Sequence, residues 1–326
     1  MKHLLTLATA SLLSCQLHAK DPAWPSVTLS NGAVKMISRT PGLPESFYRG
    51  GRFVHCAMLD EIEAGGASFY IRHHTGAHNP LGHDSVCGPA EEFDLNTPPP
   101  GYAEAEGGGL FLKIGVGVLR RPADEKEYAF YKTYEIADPG VWTTEAPGGN
   151  EVIYRHTVAL PDKSYAVEYE HRVSLADGAP VARVTRTLRN TGEKEIATRH
   201  YNHQFLAINT QPIGAAYTLE LGFAPLPKEQ LGDILRITEN KIEFTRDLTK
   251  TLWSPMTGFG DSSEENRFTL RLENGAAVHY STDRPIADVC LYATPRVICP
   301  EFFTDLRLAP GSETPWSSEL RFEPPK

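Results

Sequence analysis

Apolar and polar residues alternate with a period of two along most of the chain. In YAVEYEHRVSL, every second position from Tyr165 to Leu175 is apolar or histidine, whereas Glu168, Glu170 and Arg172 occupy positions between them. The segment LFLKIGVGVL alternates in a similar way. A period of two is typical of β-strands, because successive side chains point to opposite faces of a sheet. The pattern therefore predicts an all-β protein made of antiparallel sheets.

Turn residues divide this pattern into separate strands. Asn-Gly dipeptides at residues 31–32 and 274–275 favour the positive φ of tight turns, so each predicts a β-hairpin. Residues 181–201 predict a further strand, turn and strand. Residues 228–235 carry a helical pattern that is long enough for only one or two turns.

Two long segments, residues 72–109 and 209–230, interrupt the strands, and loops of the first one's length are usually functional or disordered. We find no internal repeat and no linker, so residues 20–326 are predicted to form one domain.

The chain is 40% hydrophobic and 22% charged, as in an ordinary globular protein. Its net charge of −9 argues against nucleic acid and anionic membrane surfaces as partners.

The N-terminus resembles a secretory signal. Basic residues are followed by an apolar stretch and by a small-residue cleavage site after Ala19, which predicts a signal peptide over residues 1–19. The segment LLSC also fits a lipoprotein signal over residues 1–14, which would leave a lipid anchor on Cys15. Both interpretations predict export to a periplasmic or extracellular location. No segment is long enough to predict a membrane span.

Four further cysteines are available for disulfides in an oxidising compartment. They are Cys56, Cys87, Cys290 and Cys299, and the last two are close enough in sequence to pair across a hairpin. Buried free thiols are the alternative, since a large domain needs no cross-links. The cysteine spacing matches no metal motif, and we predict no metal site from it.

Two segments place an ionisable residue among apolar ones. In YNHQF, His203 follows an alternating strand, with Asn202 beside it. His203 is either a core histidine bound to a backbone carbonyl or a proton donor and acceptor at a sheet surface. In ICPEFF, Glu301 lies between a proline and two phenylalanines, so it is either solvent-facing or partly buried with a shifted pKa.

The first interruption is rich in groups that can bind a hydroxylated ligand. It contains His73, His74, His78, His83, Asp84, Glu91, Glu92 and Asp94. Their spacing matches no helical metal motif, so hydrogen bonding to a ligand is favoured over metal binding, and no metal is predicted. In FYRGGRF, Arg52 beside aromatic residues could similarly donate to sugar oxygens.

These segments together resemble the galactose mutarotase (aldose 1-epimerase) superfamily. The similar parts are an early YRGGRF strand, the YNHQF strand and the ending ICPEFF followed by LAPGSETPW, within a resemblance that spans residues 26–323. The resemblance implies an antiparallel β-supersandwich with a sugar cleft on one concave face. It also implies cofactor-independent interconversion of sugar anomers, with Glu301 as the base and His203 as the acid.

Residues for substrate binding follow from the same resemblance and from the polar loop. We predict this role for Arg52, His78, His83, Asn202 and Glu91. The superfamily carries a second histidine before a glycine, and His78 and His83 match that context only loosely. Export disfavours sugar phosphates as substrates.

The expected partner is a mono- or oligosaccharide, and three functions are compatible with these features. The first is an aldose 1-epimerase-like enzyme. The second is a non-catalytic carbohydrate-binding protein of the same fold. The third is a polysaccharide lyase or hydrolase, and a hydrolase would need Glu91 or Glu92 to act together with Glu301.

Overall fold

The computed structural model of the protein describes residues 23–74, 76–95 and 97–326. The signal predicted over residues 1–19 and the lipid anchor predicted at Cys15 lie outside these ranges. Within them, no helix has the length and apolar character that crossing a bilayer requires.

The described chain folds almost entirely into strands. In chain order these are β1 (Ser26–Ser30), β2 (Val34–Arg39), β3 (Leu59–Ala64), β4 (Ala67–Ser68), β5 (Ala90–Phe93), β6 (Leu110–Lys113), β7 (Gly117–Arg120), β8 (Glu135–Asp138), β9 (Val141–Gly148), β10 (Glu151–Ala159), β11 (Ala166–Leu175), β12 (Val181–Asn190), β13 (Ile196–His203), β14 (Tyr217–Leu221), β15 (Leu226–Pro227), β16 (Leu235–Thr238), β17 (Lys241–Phe244), β18 (Leu252–Thr257), β19 (Arg267–Leu272), β20 (Ala277–Thr282), β21 (Asp288–Ala293), β22 (Ile298–Leu308) and β23 (Glu313–Glu323). Short 3₁₀ helices occupy Ile208–Thr210 and Ser263–Glu265.

Two large sheets form the body of the molecule. The ten-stranded sheet has the order β16-β17-β14-β19-β20-β23-β12-β11-β10-β9, and the six-stranded sheet has the order β15-β18-β21-β22-β13-β5. Two smaller sheets contain β1 to β4 and β6 to β8. The paired strands are antiparallel, which confirms the predicted all-β antiparallel class.

Several local predictions are confirmed. In β11, Val167 and Tyr169 are buried and Glu168 is exposed, as the period of two requires. The Asn-Gly turns at residues 31–32 and 274–275 connect paired strands. Only the glycine of each dipeptide has a positive φ.

Other local predictions are wrong. Residues 228–235 form no helix, because the adjoining residues extend into β15 and β16. The two interruptions contain strands β5 and β14, which find partners in the large sheets. The segment LFLKIGVGVL is the β6–β7 hairpin and reverses direction around Gly115.

The YRGGRF segment, predicted as a strand, is a compact turn. The Tyr48 hydroxyl accepts hydrogen bonds from the backbone N–H groups of Arg52 and Phe53, both at 3.3 Å. A Cβ atom at Gly50 would lie 2.5 Å from that hydroxyl, so no larger residue fits there. The turn satisfies backbone groups through a side chain where a strand would use a neighbouring strand.

Aromatic and aliphatic side chains fill the space between the two large sheets. Phe302 of β22 stacks on Phe268 of β19, and Phe93 of β5 meets Trp316 of β23 edge-on. The four cysteines in the described chain, predicted as disulfides or thiols, are free and buried. Burial raises the pKa of each of these thiols.

A buried ionic cluster also lies between the large sheets. The Glu91 carboxylate accepts hydrogen bonds from Tyr169 at 2.5 Å, from His171 at 3.1 Å and from the Arg186 guanidinium. Burial alone would raise the pKa of Glu91, but the charges of Arg186 and His171 lower it well below its usual value. Glu91 is therefore ionised, and Arg186 is its main counter-charge.

Replacing Arg186 with leucine is expected to destabilise the fold by about 3–5 kcal/mol, because it leaves the buried Glu91 carboxylate without a full counter-charge. Urea unfolding measures the effect. The matched control is Arg183→Leu, on the same strand, whose side chain is 65% exposed and pairs with Glu319. Its effect should stay within about 0.5 kcal/mol. Equal losses in the two variants would contradict the role of the cluster.

Candidate active site

Strand β13 places its side chains on two different faces of the six-stranded sheet. It pairs with β22 along one edge and with β5 along the other. Opposite residues share a face, so Tyr201 lies with Glu92 and Asn202 lies with Glu91. Because side chains alternate, His203 shares the face of Tyr201 and not that of Asn202.

The face that carries Tyr201 and His203 is the outer face of the six-stranded sheet, opposite the ionic cluster around Glu91. On this outer face, His203 and Glu301 are in direct contact. The His203 Nε2 atom lies 3.1 Å from Glu301 Oε1. The two residues are only 6% and 5% exposed, so the contact is largely removed from water. The structure thus brings together the two residues that the sequence analysis assigned to acid and base roles.

Burial shifts the pKa values of Glu301 and His203 in opposite directions. Burial raises the pKa of Glu301 to about 8, although the positive charge of Arg52 lowers it, and the negative charge of Glu92 adds a smaller rise. Burial, reinforced by the positive charge of Arg52, lowers the pKa of His203 well below its usual value. At neutral pH Glu301 is therefore protonated and His203 neutral, so a carboxylic acid faces an uncharged imidazole across this contact.

Aromatic rings fix the orientation of the imidazole. Phe205 stacks on the His203 ring with a centroid distance of 4.0 Å and an interplanar angle of 9°. Tyr292 meets the same ring edge-on at 5.4 Å, and His73 contacts Phe205 at 5.0 Å. Because the rings pack on both sides, His203 has little rotational freedom.

A second polar network lies beside the pair. The Arg52 Nε–H group donates to Glu92 Oε2 at 2.9 Å, and its Nη2–H group donates to the Tyr201 hydroxyl at 3.1 Å. The Tyr201 hydroxyl in turn donates to Glu92 at 2.5 Å. Lys113, fully buried, lies 3.8 Å from the other oxygen of Glu92. Arg52, predicted to bind substrate, is thus bound to protein groups and acts on the pair through its charge.

Glu91 and Asn202, also predicted to bind substrate, face away from the pair. Glu91 belongs to the buried ionic cluster, and the Asn202 side chain lies beside Tyr280 of the ten-stranded sheet. Strand alternation accounts for both positions, since each residue is adjacent in sequence to one on the outer face. The prediction that these two residues bind substrate beside His203 is therefore wrong.

The two loop histidines predicted to bind substrate lie in different surroundings. The His78 ring stacks on Phe47 at 4.2 Å, and its Nε2 atom lies 2.5 Å from the Phe47 carbonyl oxygen. His83 is 40% exposed, and its Nε2 atom lies 3.5 Å from Asp84 Oδ2. His83 is therefore accessible to a ligand, whereas His78 is packed against the protein.

An open cavity adjoins the Arg52 network. Its volume is about 880 Å³, and its lining includes Leu95, Tyr128, Phe130 and Tyr131. The Arg52 guanidinium lies 4.4 Å from the centre of the Phe130 ring. Tyr131 is exposed and Tyr128 and Phe130 are partly buried, and aromatic faces at a cavity of this kind are suited to stacking against sugar rings.

Three residues lie beside the pair without having been predicted there. Tyr201 could have been found from alternation, because it lies two positions before His203 on the same face. Glu92 was named among the polar groups of the loop and as a possible hydrolytic partner, but its place beside Tyr201 depends on the pairing of β5 with β13. Tyr292 has no sequence signal, since its position depends on the register between β21 and β22.

No protein-family model matches the chain, and no curated protein sequence matches it significantly. Solved structures do match over nearly its whole length. The Slr1438 protein of Synechocystis sp. PCC 6803 superimposes with a TM-score of 0.58 at 12% identity, covering 94% of this chain and 98% of that protein. A GalM/aldose epimerase homologue from C. elegans has a TM-score of 0.55 at 9% identity, with 93% and 100% covered.

A galactose mutarotase related enzyme from Lactobacillus acidophilus is similar as well, with a TM-score of 0.53 at 11% identity and coverage of 92% and 98%. At these identities the similarity establishes the fold alone. The chain has the galactose mutarotase-like β-sandwich fold, which confirms the resemblance inferred from its sequence at the level of architecture.

The raised pKa of Glu301 predicts a pH-dependent stability difference between the wild type and Glu301→Gln. The proton on Glu301 stabilises the folded state most fully below the unfolded pKa of about 4.5, and this contribution is lost as pH rises towards the folded value of about 8. Relative to Glu301→Gln, the wild type should lose up to about 1.4 kcal/mol per pH unit across this window.

Urea unfolding of both proteins at several pH values between 5 and 8 (about one per unit) measures this difference. His203 titrates in both proteins, so its contribution largely cancels in the comparison. Parallel stability curves would contradict a protonated Glu301 in the folded wild type.

Proposed function

We propose that the protein is an aldose 1-epimerase-like enzyme that interconverts the anomers of a free, uncharged sugar. The observation that carries this proposal is the 3.1 Å contact between His203 and Glu301, with pKa values shifted in opposite directions. The galactose mutarotase-like fold is consistent with it, although the fold alone does not define an activity.

The chemistry needs an acid and a base side by side. The anomeric hydroxyl oxygen and the ring oxygen of a pyranose are bonded to the same carbon. The Glu301 carboxylate takes the hydroxyl proton as the bond between the first carbon and the ring oxygen breaks, and His203 gives its proton to that ring oxygen. Rotation of the open-chain aldehyde and the reverse steps yield the other anomer.

One proton shared by the pair is sufficient for this cycle. In the free protein that proton lies on Glu301, and it must pass to His203 before ring opening. The 3.1 Å contact provides a direct path for the transfer. Ring opening leaves the proton on Glu301, and ring closure by the reverse exchange returns it to His203, so the pair completes the cycle without a cofactor.

The surroundings of the pair favour an uncharged substrate. Arg52, the cation whose charge acts on both His203 and Glu301, is engaged by Glu92 and Tyr201. Tyr292 is half-buried beside His203 and can donate its hydroxyl proton to a sugar oxygen. The export predicted from residues 1–19 remains part of the proposal and also disfavours sugar phosphates.

Neither of the two glutamates considered as the second carboxylate of a glycoside hydrolase is suitably placed. Glu91 faces the interior, and Glu92 is fully buried in contacts with Arg52 and Tyr201. A hydrolase needs two carboxyl groups on either side of a glycosidic bond, about 5–9.5 Å apart. A direct histidine–glutamate contact is better matched to acid–base work on one carbon atom.

Proton NMR of freshly dissolved α-glucose, α-galactose and a panel of deoxy and uronic sugars tests the proposal by following anomeric equilibration. The wild type should accelerate equilibration of at least one uncharged sugar, and not of the uronic sugars alone. Glu301→Gln and His203→Gln should each reduce the catalysed rate by at least about 10²-fold, because one positioned proton-transfer group contributes about that much.

His279→Gln is the matched control, because His279 also contacts a glutamate, Glu323, at 2.9 Å but lies in the ten-stranded sheet. It should leave the rate unchanged. Binding of a sugar with no acceleration would replace the proposal with a carbohydrate-binding protein. Cleavage of an oligosaccharide would replace it with a polysaccharide-active enzyme.

The pH dependence of kcat/KM should follow the single proton of the pair. The rate should hold across neutral pH and fall about tenfold per pH unit above an apparent pKa near 8, where the pair loses that proton and no acid remains. Equilibration rates measured in buffers on either side of this value test it. A rate that keeps rising with alkalinity would contradict a required acid.

A further inference from the structure

A second group of ionisable side chains lies in the polar loop, close to the proposed active site. We call it the His–Asp cluster, and its members are His73, His74, His83 and Asp84. Around the Asp84 carboxylate, the Nε2 atom of His74 lies at 2.7 Å, that of His83 at 3.5 Å and that of His73 at 3.6 Å. Three imidazole nitrogens therefore converge on one carboxylate.

We propose that the His–Asp cluster binds a divalent transition-metal ion, with zinc favoured. Imidazole and carboxylate are the side chains that bind zinc in catalytic and other open sites. Bonds of about 2.0–2.1 Å in a tetrahedral site place neighbouring ligand atoms about 3.3 Å apart, close to the spacing around Asp84. The ligand atoms of His73, His74 and Asp84 all lie within 4.8 Å of one another.

The backbone holds the two ligand segments together before any ion binds. The His73 N–H group donates to the Val86 carbonyl at 3.0 Å, which joins the two segments of the cluster. Arg72 and Cys87 form an antiparallel bridge next to this bond. The Tyr48 hydroxyl donates to the His83 carbonyl at 3.3 Å. A pre-formed site of this kind loses little conformational freedom when it binds an ion.

The candidate ligand side chains differ in their exposure to solvent. The side chain of His73 is 16% exposed and that of Asp84 26%, whereas His74 is 50% exposed. An ion would thus be held from one side and remain open to water or a ligand on the other. His73 contacts Phe205, the ring that stacks on His203, so the ion would lie at the rim of the proposed sugar site.

The His–Asp cluster would bind an ion whether or not the protein is an epimerase. The sequence predicts no metal here, because the histidine spacing matches no recognised motif. Here the ligands come from two dipeptides that the fold of the loop brings together, and no fixed sequence interval would reveal them.

The test is metal binding by the purified full chain after treatment with a chelator. Competition with a chromophoric chelator should show that the wild type takes up a single equivalent of Zn²⁺. Co²⁺ should produce the visible absorption of a tetrahedral site, and Ca²⁺ and Mg²⁺, which prefer oxygen ligands, should not compete. Asp84→Ala and His74→Ala should each weaken Zn²⁺ binding at least about tenfold.

His279→Ala is the control, because it removes a histidine that contacts a carboxylate outside the loop. It should bind Zn²⁺ as the wild type does. Added Zn²⁺ should raise the Tm of the wild type and of His279→Ala but not that of Asp84→Ala, which also shows that the variants are folded. Failure of the wild type to take up an equivalent, or unchanged binding in both cluster variants, would overturn the proposal.

Discussion

The pairing of β13 between β5 and β22 is the constraint on which the rest of the site depends. One edge of β13 brings Glu301 to His203, and the other fixes which of two adjacent glutamates joins them. A shift of one residue in the pairing with β5 would exchange Glu92 for Glu91 and turn a buried ionic cluster towards the cleft. The register of three strands therefore defines both the candidate catalytic pair and the interior of the sandwich.

The same degree of burial has opposite consequences for Glu91 and Glu301. Glu91 remains ionised because Arg186, His171 and Tyr169 all point at its oxygens. Glu301 has an uncharged imidazole as its direct partner, so the cost of burying charge keeps it protonated. Glu91 holds the sheets together and Glu301 is suited to proton transfer. The two carboxyl groups thus differ in their partners and not in their degree of burial.

Much of the architecture could be predicted from the sequence, because a period of two in YAVEYEHRVSL specifies both the element and its buried face. His203 and Glu301 could also be predicted, from motifs that resemble a known superfamily. The residues that surround this pair could not be predicted. Asn202 was chosen because it is adjacent in sequence, although adjacency in a strand means opposite faces. Tyr292 depends on a register between two strands, and no local pattern encodes such a register.

The four buried thiols make the chemistry of this protein depend on its folding state. In the folded chain their raised pKa values suppress the thiolate, the form that reacts with oxidants. The unfolded chain has no such protection, and its cysteines can then form pairs that the native packing does not contain. In an oxidising environment, the yield of native protein therefore depends on whether the chain folds and buries its cysteines before they are oxidised.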